Sequence, residues 1–335
     1  MNLKRKIKML LPYGYMKNRN ERYRFNRASY IEPCIYNQYG EVKRTFYLKD
    51  NVCRHSPYTF SSINLGQTNT INWDRFNKAL PIHFYSHNEI LGETYECNKK
   101  FGIIVESEAI IPQLYEDCLN AQNLMKQYDA IFTHSERLLK KYENAYFIPG
   151  SSVWFGGTTG GGQLRADAFQ KKTKMISLVS SDKAQCELHR FRRLLAEWFY
   201  ETEGVDVMGT YGGGDYILIS DSLSDYRYSI VVENNITSCY FTEKILNCFA
   251  SMTIPIYIGA TEIGKFFNEK GIICISPHMN RKDIEDVIRD CTIKEYELRL
   301  DAIKDNFQRV QKYFCIEDYI YLNYKSLFTL QETNG

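Results

Sequence analysis

Short apolar runs alternate with helical stretches along this chain, stop at a cluster of glycines, and start again. That pattern restricts the fold more than any single motif. Gly102-Ile103-Ile104-Val105 reads as a buried strand with Glu106 at its carboxyl end. Ala130-Ile131-Phe132-Thr133 is a second run, and Ser135 is placed to cap a helix carrying Leu138 and Leu139. Ala145-Tyr146-Phe147-Ile148 is a third, halted by Pro149-Gly150. Runs that are apolar at every position, rather than alternating, indicate strands covered on both faces, and hence a parallel sheet with helical crossovers.

Gly156-Gly157-Thr158-Thr159-Gly160-Gly161-Gly162 interrupts the series. A phosphate-cradling loop would need a helix directly after it and a Gly-Lys-Ser/Thr ending, and neither follows, so the stretch reads as a linker or flap. The alternation then resumes with strands expected at 175–179, 205–208, 228–232, 254–258 and 271–275, and helices at about 185–201 and 242–250. Tyr296, Leu300, Ile303, Phe307 and Val310 recur at steps of four and three, an amphipathic tail helix. With 335 residues, more than one core usually carries, the chain is expected to form two Rossmann-like α/β domains facing a cleft, residues 1–160 and 161–335. The first 90 or so residues are polar and aromatic, and no element is placed in them.

Lys and Arg total 42 against 40 Asp and Glu, so no overall field points to nucleic acid. The ten cysteines are scattered singly without a C-x-x-C pair, which argues against structural zinc and for a reducing, cytoplasmic setting. No run approaches the ~20 apolar residues that span a bilayer. Lys4, Arg5, Lys6 and Lys8 open the chain, either as a solvated basic start or as a peripheral contact with an anionic (inner) membrane surface. The six histidines show no paired ligand spacing; most read as core or surface residues, with His87 a candidate acceptor-side group. No two aspartates form the Asp-x-Asp that holds a metal–diphosphate in many nucleotide-sugar enzymes.

The informative stretch runs from Tyr228 to Gly259. Its strand delivers Glu233 and Asn234 to the carboxyl edge, where open α/β sheets bind ligands. Thr242-Glu243-Lys244 then opens a helix, aiming backbone N–H groups, the positive end of the dipole and an ammonium at one place. Two readings of these residues stand: an anion site, or an exposed ion pair at a helix start with little energetic weight.

The same stretch resembles the signature of glycosyltransferase family 10, the α-1,3/4-fucosyltransferases of bacterial type. Glu233-Asn234-Asn235, Tyr240-Phe241-Thr242-Glu243-Lys244 and Ile254-Pro255-Ile256-Tyr257-Ile258-Gly259 occupy the family's Glu-Asn-Ser, Tyr-x-Thr-Glu-Lys and Pro-Val/Ile-x-x-Gly places at matching spacing. Asn235 stands where Ser is usual, and the gap 236–239 is less glycine-rich. The resemblance implies a GT-B-like fold with a carboxyl-terminal donor domain and an amino-terminal domain for acceptor and base. It implies donor contacts at Glu233, Asn234, Tyr240, Thr242, Glu243 and Lys244, with an Arg on the diphosphate. Counting back from the 205–209 strand selects Arg192, with Arg190 as the alternative. The family's base aligns with Glu106, with Glu108 two residues on as the alternative.

The expected activity is therefore inverting, metal-independent α-1,3-fucosyl transfer. GDP-fucose is the expected donor and no cofactor is expected. The acceptor is a hydroxyl of a glycan: lipopolysaccharide, capsule or another oligosaccharide, free or lipid-linked. The competing readings are the same machinery with another nucleotide sugar, and a non-catalytic carbohydrate-binding or glycan-assembly protein that keeps the fold. The sequon Asn235-Ile236-Thr237 lies inside the expected site, where a glycan would block it.

Overall fold

A computed structural model describes residues 35–50, 68–157 and 160–330. The basic start, Cys34 and Cys53 lie outside the described residues. Strands and helices divide between two compact α/β units, each built on a fully parallel sheet.

Among the described residues, the first unit contains those up to Ser152, Thr237–Thr242 and the stretch from Lys312. Its six strands are β1 (Arg44–Lys49), β2 (Ile71–Asp74), β3 (Ile82–Ser86), β4 (Lys99–Ile104), β5 (Ala130–Thr133) and β6 (Ala145–Phe147), in the order β2-β1-β3-β4-β5-β6. Helices α1 (Pro112–Asn120) and α2 (Glu136–Lys141) follow β4 and β5. Ser135 caps α2 by accepting the Leu138 N–H, as its position after β5 predicts. Tyr115, Leu114, Leu138 and Ile131 close one core. Phe84, Phe101 and Phe46 pack with Phe328 from the tail, at centroid distances of 5.2–6.2 Å.

The second unit contains Val153–Ile236 and Glu243–Gln311. Its strands are β7 (Lys174–Val179), β8 (Val205–Met208), β9 (Tyr226–Val232), β10 (Ile254–Ile258) and β11 (Ile273–Cys274), in the order β11-β10-β9-β7-β8. Helix α3 (Glu187–Phe199) precedes β8, and α4 (Glu243–Ala250) connects β9 to β10. The tail periodicity resolves into a short helix, Ile293–Leu298, and α5 (Leu300–Val310), which bury Tyr296, Ile303, Phe307 and Val310.

Two expectations differ from what is observed. The division falls between Ser152 and Val153 rather than at 160/161, and the chain rejoins the first unit at Thr237–Thr242 and after Gln311. The second return has a specific anchor on α6 (Ile316–Asn323). The Asp318 carboxylate accepts the Asn69 and Thr70 N–H groups at 2.9 Å, and Glu317 accepts Trp73 Nε1–H at 3.1 Å. Periodicity marks where alternation restarts, but it does not reveal such return crossings.

The glycine cluster is also more than a linker. Gly156 N–H donates to Gly161 O at 2.7 Å and Gly161 N–H to Gly157 O at 2.9 Å. Gly161 and Gly162 hold φ of 67° and 84°, and a Cβ on Gly162 would meet the Phe155 ring at 2.5 Å. The Asn247 side chain on α4 accepts both the Trp154 and Phe155 N–H groups, at 2.7 and 2.9 Å, and so ties this loop to the signature helix.

Candidate active site

In the second unit, β9 and β10 pair in register, Val232 against Ile258, and the Glu233 N–H continues the ladder to Ile258 O at 2.9 Å. That pairing draws Glu233 inward until it is fully buried. Gly259 is the matching requirement on the next strand end. A Cβ there would lie 2.6 Å from Glu233 Cγ and 2.2 Å from the Tyr257 hydroxyl, so only glycine lets the two strand ends close.

Lys244, in the first turn of α4, places its ammonium 3.3 Å from Glu233 Oε2 and 3.1 Å from Glu243 Oε1. Burial works against this charge, but Glu243 and Glu233 outweigh it and hold the Lys244 pKa above its usual value. Arg192 is within Coulombic reach of the same carboxylates; burial lowers its pKa, and its Nε is buried without a protein partner. Arg190 is exposed and bonds only to Ala184 O within its own loop-to-helix turn, so the structure places Arg192, not Arg190, at the carboxylate cluster. The ion pair left open by the sequence forms, but it is largely buried rather than exposed, and it shares Lys244 with the fully buried Glu233.

Asn234 is held by a residue that the sequence had grouped with core and surface histidines. His189, three residues before Arg192 on α3, places Nε2 2.9 Å from Asn234 Oδ1. Burial, with Arg192 adding to it, pushes this imidazole down to about 4, so it is neutral and its Nε2–H donates to the amide oxygen. The i, i+3 spacing of His189 and Arg192 on one helix face was the available signal.

Tyr240 and Thr242 are placed differently. The loop Thr237–Thr242 belongs to the first unit, where both side chains are buried. The Tyr240 ring lies 4.5 Å from the His134 ring, Ser238 N–H donates to Glu136 at 2.5 Å, and Gly150 N–H donates to Phe241 O at 3.0 Å. Gly150 leaves just enough room: a Cβ would meet the Tyr240 ring at 2.8 Å and Thr242 Cγ2 at 3.1 Å. Gly150→Ala should therefore cost about 1–3 kcal/mol of stability, read as a lower Tm, because it overpacks this seat.

The first unit offers Glu106 at its carboxyl edge. Register pairs Ser86 with Ile103 and Ile104 with Thr133, so His87, Glu106 and His134 leave three neighbouring strands together. The backbone of Glu106 is gripped on both sides. Its N–H donates to His87 Nε2 at 3.4 Å, and its C=O accepts from the Tyr115 hydroxyl at 2.6 Å, with His134 Nε2 at 3.3 Å. Its carboxylate accepts the Ser107 N–H at 2.9 Å, and among the described residues no cation pairs with it. Glu108, by contrast, is engaged by the Ser135 hydroxyl and by Arg137 at 3.3 Å.

Of the rest of this edge, sequence reasoning named only His87, as a candidate acceptor-side group, and missed Asp50 and Arg75. Asp50, Arg75 and His87 directly follow β1, β2 and β3. The fully buried Asp50 carboxylate accepts the Ser86 hydroxyl at 2.5 Å and pairs with Arg75 at 3.4 Å. Among the described residues no three His, Cys, Asp or Glu side chains converge as metal ligands, and no helix is long and apolar enough to cross a membrane.

Residues 169–318 match the family described as "Glycosyltransferase family 10 (fucosyltransferase) C-term". A 70-residue stretch is 34% identical to the alpha-(1,3)-fucosyltransferase FucT of Helicobacter pylori. Over residues 169–318 this chain is similar to glycosyltransferase family 10. The 70-residue stretch spans 21% of the chain and 15% of that relative's length. The fold, too, is similar to that of solved proteins. A crystal structure of an alpha1,3-fucosyltransferase superposes with a TM-score of 0.51 at 16% identity, over 90% of this chain and 94% of the other. One solved with GDP gives 0.51 at 16% identity, over 92% and 96%. The chain thus has the two-unit, GT-B-type α/β fold expected from its sequence.

Proposed function

We propose that this chain is an inverting α-1,3-fucosyltransferase that moves L-fucose from GDP-fucose to a glycan hydroxyl, without a metal and with Glu106 as general base. The observation that carries this reading is the Lys244–Glu233–Glu243 cluster with Arg192 beside it. Two cations stand there, one at the amino end of α4, inside the segment that matches the family. A departing diphosphate needs concentrated, fixed positive charge, and an ammonium, a guanidinium fork and a helix amino terminus supply it without a divalent ion. The carboxylates Glu233 and Glu243 fit paired ribose or sugar hydroxyls. The structural neighbour solved with GDP supports the choice of guanine nucleotide.

In this scheme the unit of β7–β11 binds the donor, and the unit of β1–β6 binds the acceptor and provides the base. Glu106 takes the proton of the acceptor hydroxyl as its oxygen attacks the anomeric carbon from the face opposite the leaving group. The carbon–oxygen bond to the β-phosphate breaks as the new glycosidic bond forms, which inverts the configuration. Arg192 and Lys244 stabilise the charge that develops on GDP.

A thermal-shift panel of nucleotide diphosphates tests the donor. GDP should stabilise the chain by ~2.7 kcal/mol at a hundredfold excess over its dissociation constant, UDP and ADP by much less, and EDTA should leave transfer intact. Preferential stabilisation by UDP would overturn the donor assignment, and loss of transfer in EDTA would overturn metal independence.

A further inference from the structure

We propose that His87 is a positioning residue for the general base: it holds the Glu106 backbone by accepting its N–H, and so sets where the Glu106 carboxylate is presented. This rests on the assignment of Glu106 as base.

Three observations carry it. First, His87 is one of two non-glycine residues among those described with positive φ, at 49°. A side chain rarely adopts that left-handed conformation unless its surroundings impose it, and such residues cluster at functional sites. The turn ends β3 and directs the ring toward the end of β4. Second, His87 is buried, and burial pushes its imidazole down to about 4 although Asp50 acts the other way. A neutral ring can accept at Nε2, whereas a protonated one could not, and the Glu106 N–H lies 3.4 Å from that nitrogen. Third, the position is itself braced. The neighbouring Ser86 donates to the fully buried Asp50, which Arg75 also pairs, so three strand ends are locked where the ring is aimed.

The Glu106 carbonyl already has Tyr115 and His134. Its N–H has His87, and the carboxylate then folds back onto the Ser107 N–H at 2.9 Å. Fixing the N–H thus fixes the peptide plane from which the reactive carboxylate hangs.

The test compares His87→Gln, which can keep an acceptor near the Nε2 position, with His87→Leu, which keeps volume but cannot accept. Transfer turnover, donor KM and the GDP-induced Tm shift are measured for each, with Glu106→Gln as reference. The expected result for Leu is a fall in kcat of about 10²-fold, the cost of misplacing a reacting group, with donor KM and the GDP shift unchanged. The Gln variant should recover most of the loss. If Leu does not fold, His87→Gly replaces it, since glycine takes a φ of 49° without strain; turnover should fall and be restored in part by added imidazole. Wild-type kcat in the Leu or Gly variant, while Glu106→Gln is inactive, overturns the positioning role. An active Glu106→Gln variant overturns the base assignment instead. A loss shared equally by kcat and the GDP shift means that His87 serves only the fold, and also rejects the proposal.

Discussion

Glu106→Gln should lower transfer by about 10²–10⁴-fold while GDP stabilises the variant as well as it does the parent chain. The amide keeps the size of the carboxylate and its ability to accept the Ser107 N–H, which approaches at 2.9 Å, so the local turn has no reason to change. What is lost is the capacity to take a proton from a hydroxyl that is a poor nucleophile near neutral pH. Glu108 is the residue with which Glu106 could be confused, because it lies on the same short segment after β4. Its surroundings separate the two. Ser135 and Arg137 both bind the Glu108 carboxylate, and Arg137 is drawn further away by Glu116 at 2.6 Å. Glu108 thus braces the start of α2 through its capping serine, and Glu108→Gln should keep turnover near the parent value. Turnover that collapses in Glu108→Gln but survives in Glu106→Gln would reverse the roles. Activity in both would remove the base from this segment altogether.

How far the sequence disclosed this molecule depended on what filled its strands. The aliphatic runs 130–133, 205–208 and 254–258 coincide with β5, β8 and β10, and 228–232 falls inside β9. Strands β1 to β3 escaped notice because their sequences, RTFYLK, INWD and IHFYS, interleave aromatic with charged or polar residues. In the fold, their Phe, Tyr and Trp rings provide the burial that aliphatics provide elsewhere, and His83 is buried against Tyr47 at 4.7 Å between ring centroids. A reader who seeks apolar runs sees neither the strands nor most of the residues that follow them: Asp50 and Arg75 passed unnoticed, and His87 stood out only as a histidine. The cluster around Lys244 was legible because its residues are close in sequence: eleven positions separate Glu233 from Lys244, joined by one loop and a helix start. Even there, spacing alone did not show that Tyr240 and Thr242 are buried within the first unit, since burial against His134 and Gly150 depends on chain more than 85 residues upstream.

Arg192→Ala and Lys244→Ala should both weaken GDP binding, but they should separate on stability. Each removes a charged donor to phosphate, worth about 1.5–3 kcal/mol, or roughly 10–150-fold in the dissociation constant of GDP. Arg192 makes little of its own structure: its Nε is buried without a protein partner. Its truncation should therefore leave the melting temperature of the free protein near the parent value. Lys244 faces Glu233, which is fully buried, at 3.3 Å, and Glu243 at 3.1 Å. Withdrawing its ammonium leaves two carboxylates near one another with one fewer compensating charge. Breaking a buried pair from one side typically costs about 3–5 kcal/mol, and Lys244→Ala should fall toward the lower end because its side chain keeps 20% exposure. Added GDP cannot rescue this variant, since the nucleotide brings negative charge to a site that already has an excess. Raising ionic strength should recover part of the lost stability by screening that excess. Measuring Tm with and without GDP at two salt concentrations gives both quantities from one preparation. If Arg192→Ala responds to GDP as the parent chain does, the guanidinium does not bind the diphosphate. If Lys244→Ala melts unchanged, its ion pair with Glu233 carries no weight in the fold, and the lysine is free to serve the donor alone.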